Sequence, residues 1–503
     1  MDPERFRLRR FLESLPAGEI ERITQPTELG DVAAVLEGNP RAVWFTRAGG
    51  AELSGNVAAS RSRLALALNT DTRNLLAEVM RRLGAPQELL EVREAPVQQV
   101  VETDAADLTA LPVHLQHGFD GAPYISSAMD VTRDGASGLA NVGIRRLMLR
   151  GRREAGVDLN APSDLRAIYQ AAVQRGERLP IAFVVGSHPA DHIAATMRVP
   201  GDELGLIGRL RGAPLPVVKC VTSDLRVPAD AEYVLEGYLD ERGYIEPEGP
   251  YGEFLGYYGA LKKNPVFHLS AITRRRDAVF QTSTISGRTL SRTDTAQLNA
   301  LRAEVTAWRA LESAVREVKA VYATAAAGGA FNMRVALRQR VAGEARNAIA
   351  AVLGCLANVK HVFVVDEDVD VYSDEQMDWA LATRFQADRD LVMHSGMRAM
   401  PLDPSLGGER TSSKAGFDLT LPFGGKRGIE TATPEPPRYE GRRFESVAAA
   451  LADGPKFFVE LMCARGSRDG REIVRELDAL RRAGALGRDD EGRYVHRPAG
   501  SAP

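Results

Sequence analysis

The sequence predicts a multidomain α+β protein in which a strand-rich middle segment, a barrel or sandwich, precedes a compact α/β segment. Three observations carry this expectation. At about 150 residues per domain, a chain of 503 residues holds about three units or two large ones. Between Tyr124 and Gln281 short apolar runs alternate with Gly/Pro-rich turns, the punctuation of many short strands. After Val318 strand and helix patterns alternate, as in a layered α/β domain.

Composition narrows the class. With 44% hydrophobic and 26% charged residues the chain can bury a core, which excludes global disorder. Its 64 Lys+Arg against 67 Asp+Glu give a net charge of −3, without the basic excess of a general nucleic-acid binder. No apolar run reaches the ~18 residues of a membrane helix. The start, Met1-Asp2-Pro3-Glu4-Arg5, is charged and lacks a signal core. Cys220, Cys355 and Cys463 are too far apart for a disulfide framework or a zinc site. A soluble cytoplasmic enzyme is expected.

The elements follow in order. Residues 1–110 read as mixed α/β, with helices over Phe6–Leu15 and Thr72–Leu83 and a strand at Ala42–Thr46. Residues 111–294 contain the strands Ile144–Leu149, Ile181–Val185, Pro216–Val221, Ala231–Leu239 and Val266–Ile272. Only Pro162–Arg175, with Leu165, Ile168, Ala171 and Ala172 on one face, and a shorter piece from Asp191 read as helical there. A linker helix occupies 295–317. The α/β segment, 318–440, alternates the strands Val318–Ala323, Met333–Leu337, Val362–Val365 and Asp390–His394 with helices Ala342–Leu356 and Ser373–Arg384. Ser373 before Asp374 and Glu375 is an N-cap with an acidic first turn. From Thr411 the pattern turns irregular and polar, and 441–503 carries two helices, Phe444–Asp453 and Gly470–Ala483.

Four segments could carry chemistry. In Glu248-Gly-Pro-Tyr-Gly-Glu253 two acids bracket a turn held tight by glycine and proline. In one cleft such carboxylates acquire separated proton affinities; on a surface they are merely solvated. Asn141-Val-Gly-Ile-Arg-Arg146 opens a strand, and its amide and guanidinium suit a hard cation and a carboxylate, or an ordinary exposed strand. Asp164 at a helix start and Glu203 after Val199-Pro-Gly-Asp202 could join Asn141 in an all-oxygen Mn²⁺ or Mg²⁺ site, or simply be helix-end charges. Thr411-Ser-Ser-Lys-Ala-Gly-Phe-Asp418 places a lysine among hydroxyls without P-loop spacing, so a solvated loop is the default.

Together these segments resemble the UbiD family of prenylated-FMN-dependent decarboxylases. The resemblance rests on their order: Asn-x-x-x-x-Arg at 141–146, the helix entered at Pro162, Ala194-Ala-Thr-Met197, Glu203, Pro216-Val-Val-Lys-Cys220, Glu248-Gly-Pro-Tyr-Gly-Glu253 and Ser413-Lys-Ala-Gly-Phe-Asp418.

The resemblance implies a split β-barrel flavin-binding domain (111–294), joined by the linker helix to an α/β oligomerisation domain. It implies reversible, non-oxidative decarboxylation of an aromatic, heteroaromatic or α,β-unsaturated acid through a covalent adduct with prenylated FMN. Arg146, Glu248 and Glu253 match the family's catalytic network, with Glu253 as proton donor. Asn141, Asp164 and Glu203 match ligands of Mn²⁺ (or Mg²⁺), with Asp164 where histidine is usual. Carbonyls around Val142, Ala194 and Met197 would hold K⁺. Val142, Gly143, Ile144, Arg145, Ser163, Ala195, Thr196, Met197 and Lys414 would touch the cofactor. Asn160, Arg288 and Arg292 suggest a polar substrate or a second carboxylate; interdomain ion pairs are the competing role of the arginines. A homodimer or larger homo-oligomer, and a separate flavin prenyltransferase, complete the expectation. The rivals are a non-catalytic flavin-binding or assembly subunit and a flavin reductase, for which no nicotinamide signature is present.

Overall fold

The computed structural model describes residues 2, 4–198, 200–425 and 428–497. Met1, Pro3 and Val199 of the segments above lie outside the described residues. The chain divides into two compact units, Met1–Leu421 and Pro422–Pro503.

The centre of the first unit is a closed six-stranded antiparallel barrel. Its strands are β1 (Tyr124–Arg133), β2 (Ala140–Leu149), β3 (Glu154–Val157), β4 (Leu179–Val185), β5 (Tyr233–Leu239) and β6 (Val266–Arg274). They pair in the order β1-β2-β3-β6-β5-β4, and β4 returns to β1 to close the ring. Closure leaves few strand edges exposed. Inside lie Leu147, Ala155, Ile181, Phe183, Leu235 and Phe267, all buried. The Phe183 and Phe267 rings meet edge to face, 4.9 Å between centroids, the arrangement favoured by ring quadrupoles.

Two short helices cover the barrel. α1 (Asp164–Gln174) starts at Ser163, whose hydroxyl accepts the Arg166 N–H, a normal N-cap. α2 (Pro189–Thr196) starts with proline at its first position, where the missing N–H costs nothing. An N-terminal sheet orders Ile20–Ile23, Ala42–Ala48, Ala51–Gly55 and, returning from beyond the barrel, Val279–Gln281.

The linker helix α3 (Asp294–Glu312) is tethered at its first residue and near its middle. Asp294 accepts hydrogen bonds from the Ala58 and Thr284 N–H groups at 2.6 and 2.8 Å, and buried Glu304 pairs with Arg61 at 2.8 Å. Beyond it, five strands form one mixed sheet: β7 (Val318–Ala323), β8 (Asn332–Leu337), β9 (His361–Asp366), β10 (Leu391–Arg398) and β11 (Thr411–Asp418), ordered β7-β8-β9-β11-β10. The loop expected at 411–418 is therefore a strand. Its serines, lysine and glycine hide the pattern, but Ser412, Lys414 and Gly416 alternate inward, and pairing with both β9 and β10 supplies the order.

In the second unit, helices Val447–Ala452, Phe458–Arg465 and Gly470–Arg482 precede a hairpin of Leu486–Arg488 and Tyr494–His496. Leu451, Leu461, Ile473 and Leu477 form its core. The middle helix was not expected, because Phe457-Phe458 and Met462-Cys463 blur its apolar stripe.

Candidate active site

Strand β2 carries Arg146 into the mouth of the barrel, where three carboxylates converge on one guanidinium. Glu253 Oε1 accepts from Nη1 at 3.0 Å, Glu248 Oε1 from Nε at 3.2 Å, and Asp158 Oδ2 lies 3.0 Å from Nη2. The Tyr251 ring stacks beneath, 4.6 Å from the guanidinium carbon. Burial opposes the charge on Arg146, but Glu253, Asp158 and Glu248 outweigh it and hold the proton more firmly than usual. Burial pushes the Glu253 carboxyl above its ordinary range, against the pull of Arg146, and the Asp158 charge adds to the rise. A buried carboxyl with raised proton affinity is better suited to act as a general acid.

The turn between the two glutamates fixes this geometry. Gly249 has φ +95°, a conformation that suits glycine, and the Gly249–Pro250 peptide bond is cis. A Cβ at Gly259 would lie 2.7 Å from Glu253 Oε1, so that residue must be small for the carboxyl to sit where it does. Asn264 Nδ2 donates to Glu248 Oε2 at 3.1 Å and to Asp158. Asp158 and Asn264 were missed from sequence; the only signal was an acid and an amide in strand-like runs, which is no signal without the fold.

A cavity of about 860 Å³ opens beside Glu253. Of the residues expected at the cofactor or metal, Ile144, Arg145, Arg146, Ser163, Asp164, Thr196 and Glu253 line it. His192, unexpected, lines it too: burial drives its pKa down to about 4, so it is neutral, with Nε2 3.0 Å from Ser127 Oγ. Val142, Gly143, Ala195 and Met197 sit behind this wall, and the Ala194 carbonyl accepts the Met197 N–H at 3.0 Å.

Asn141 and Glu203 meet directly: Glu203 Oε2 accepts from Asn141 Nδ2 at 2.6 Å and from the Val142 N–H at 2.8 Å. Burial, with Asp164 and Asp130 nearby, raises the Glu203 pKa. Asp130, fully buried on β1, has no hydrogen-bond partner for either carboxylate oxygen among the described residues; its nearest cation is Arg145 Nε at 3.5 Å. A buried, unsatisfied carboxylate beside a second carboxylate and an amide suits a hard divalent cation. Asp164 does not complete this set as placed: its side chain is 65% exposed and pairs with Arg198 at 3.0 Å. Among the described residues no group of three His, Cys, Asp or Glu side chains is arranged to hold a metal.

Other expectations are corrected. Lys414, on β11, is buried and gives its ammonium to the Leu353 carbonyl at 3.0 Å; it does not line the cavity. Arg288 and Arg292 are exposed outside it, Arg288 through its backbone N–H on Glu37 and Arg292 on the Gly38 carbonyl at 2.6 Å. They follow the chain turn into α3, which points them to solvent. Asn160 also lies off the cavity, bonding Asp158 and Asn264 at 3.2 and 2.7 Å.

Comparison with known proteins bears on the family and the fold. Models of the 3-octaprenyl-4-hydroxybenzoate carboxy-lyase match in chain order: the N-terminal domain at 17–83, the Rift-related domain at 89–289 and the C-terminal domain at 296–419. The UbiD-class enzyme HmfF from Pelotomaculum thermopropionicum, solved in complex with FMN, superposes with TM-score 0.81 at 31% identity, covering 86% of this chain and 97% of that one. The chain belongs to the UbiD family. An evolved dimeric form of HmfF in complex with prFMN superposes with TM-score 0.76 at 29% identity, over 86% of this chain and 97% of that one. The family's 3,4-dihydroxybenzoic acid decarboxylase AroY from Klebsiella pneumoniae gives 0.76 at 26% identity, over 87% and 98%. An anhydromevalonate phosphate decarboxylase of Methanosarcina mazei is 29% identical over 417 residues, 82% of this chain and 96% of that protein. The split-barrel, multidomain α+β architecture expected from sequence is that of the family. The models end before the second unit, and among the described residues no helix is long and apolar enough to cross a membrane.

Proposed function

We propose that this chain is a reversible, non-oxidative decarboxylase of an unsaturated carboxylic acid, dependent on prenylated FMN, with Glu253 as proton carrier. The observation that carries the reading is the Arg146 guanidinium held by Glu248, Glu253 and Asp158 at the wall of a cavity. Prenylated FMN, when bound, supplies the electron sink for loss of CO₂.

The residues supply the rest. Arg146 holds a carboxylate beside Glu253; Glu248 and Asn264 fix that guanidinium from behind. Protonated Glu253 gives its proton to the carbon that CO₂ has left, ending as the carboxylate, and the reverse transfer serves carboxylation. Asn141, Glu203 and Asp130 would hold Mn²⁺ or Mg²⁺ next to the cofactor phosphate, with Arg198 and Asp164 around them. A K⁺ ion at the Val142 and Met197 carbonyls belongs to the same proposal. The division into a catalytic barrel (111–294), linker (295–317), assembly domain (318–440) and C-terminal helices (441–503) is likewise proposed, as are a homo-oligomer and a prenyltransferase partner.

Relatives whose names specify a phosphorylated aliphatic acid and a dihydroxybenzoic acid support the general reaction and leave the acid of this chain to a screen. Aromatic, heteroaromatic and α,β-unsaturated acids all belong in it. The intact acid–arginine network argues against a non-catalytic subunit. The test is Glu253→Gln, co-expressed with a flavin prenyltransferase. Flavin absorbance should stay and CO₂ release fall by ~100-fold or more. Undiminished turnover would remove Glu253 from the chemistry.

A further inference from the structure

The cavity beside Glu253 is unevenly charged. Arg145, Arg146 and Arg198 each have a carboxylate partner, respectively Asp130, the three acids described above, and Asp164. Arg302 and Arg309 of α3 and Arg398 of β10 also line the cavity, and no carboxylate among the described residues pairs with them. Arg302 is half-buried, and burial, with the nearby charges of Arg198 and Arg398, works against its proton. Of the three only Arg302 is withdrawn from water, and an unpaired guanidinium so placed is costly unless an anion joins it.

We propose that Arg302 and Arg398, with Arg309 at the rim, form a recognition site for a second oxyanion of the substrate, a phosphate or carboxylate remote from the carboxylate that is lost. The arginines stand on α3 and β10, whereas Asn141 and Asp130 stand on barrel strands and Glu203 at the start of the helix Leu204–Arg211. The cofactor's anchor and this wall therefore come from different parts of the fold. Planar guanidiniums recognise phosphate or carboxylate through paired N–H donors. The second-anion idea attached in sequence to Arg288 and Arg292 thus moves to arginines that face the cavity. The occupant's being a substrate rests on the decarboxylase reading; the anion site does not.

The test uses FMN-loaded full-length protein and two probes, inorganic phosphate and malonate, against chloride at matched ionic strength. Thermal stabilisation by at least one probe is expected, with affinity ~10-fold or more weaker in Arg398→Ala and Arg302→Gln. Arg398 is exposed, so its variant should fold even if Arg302→Gln does not. Affinities for FMN and riboflavin are measured in parallel and should be unchanged. Loss of FMN binding with riboflavin binding retained would overturn the proposal by assigning the arginines to the cofactor phosphate. No response in the parent protein, or equal responses in parent and variants, would overturn it outright. A decarboxylase reading that fails shows itself separately, as prenylated-FMN-loaded protein that responds to the probes but releases no CO₂ from any acid tested.

Discussion

Asp158→Asn isolates the carboxylate whose contribution sequence reasoning did not reach. One guanidinium bridges Asp158 and Glu253, with N···O distances of 3.0 Å on each side, so the two carboxylates lie within about 8 Å. At an effective dielectric of ~20 a unit charge at that separation is worth about 2 kcal/mol. The sign is definite: Asp158 raises the Glu253 pKa, so neutralising it lowers that pKa. Freed from Asp158, Arg146 also binds Glu253 more tightly, which acts in the same direction. Decarboxylation requires the protonated acid, so its rate falls as pH rises through the Glu253 pKa. In Asp158→Asn that descending limb of kcat/KM should move to lower pH. The profile is measured by CO₂ release with cofactor-loaded enzyme. An unmoved or alkaline-shifted limb, with flavin still bound, would refute the electrostatic coupling and leave Asp158 a packing residue.

Further outcomes follow from other groups. His188 and His192 are buried, and burial lowers their pKa values to about 3 and 4. The unfolded chain therefore binds more protons than the folded one between about pH 6.5 and those values, so stability is complete above pH 6.5 and lost as pH falls. His192 alone accounts for about 3 kcal/mol across that window, and His192→Gln should flatten the pH dependence of urea midpoints. Glu203→Gln should weaken Mn²⁺ binding by ~10-fold or more, read by calorimetry; unchanged affinity would remove Glu203 as a ligand.

What the sequence disclosed follows from the range of each interaction. Strands such as Ile181–Val185 and helices such as 295–314 were legible because alternation and helical spacing are local. The cap of the linker helix was not read from the sequence; in the structure the Thr293 hydroxyl supplies it by accepting the Ala296 N–H at 3.2 Å. β11 was hidden because its order comes from neighbours distant in sequence, not from its own apolar content. The site divides in the same way. Glu248 and Glu253 stand out as a short motif, but Arg146 lies 102 residues from Glu248, and only the family resemblance joined them. Asp158 and Arg302 belong to no motif. Arg302 reads as one more helical arginine until the fold supplies a cavity and withholds an acid.

The two glutamates on Arg146 differ in a way that separates their duties. Glu248 accepts from Arg146 Nε and Nη2 and from Asn264 Nδ2, is 1% exposed, and does not line the cavity. A carboxylate so enclosed has no path to a substrate carbon. Glu253 keeps one side-chain hydrogen bond among the described residues, to Arg146 Nη1, lines the cavity, and has its proton affinity raised by burial. Exchanging the roles would require Glu248 to surrender three donors while Arg146 lost its brace. Under the proposed reaction Glu248 orients and Glu253 transfers the proton, so Glu248→Gln should raise KM through a loosened Arg146, while Glu253→Gln should abolish kcat with KM little changed.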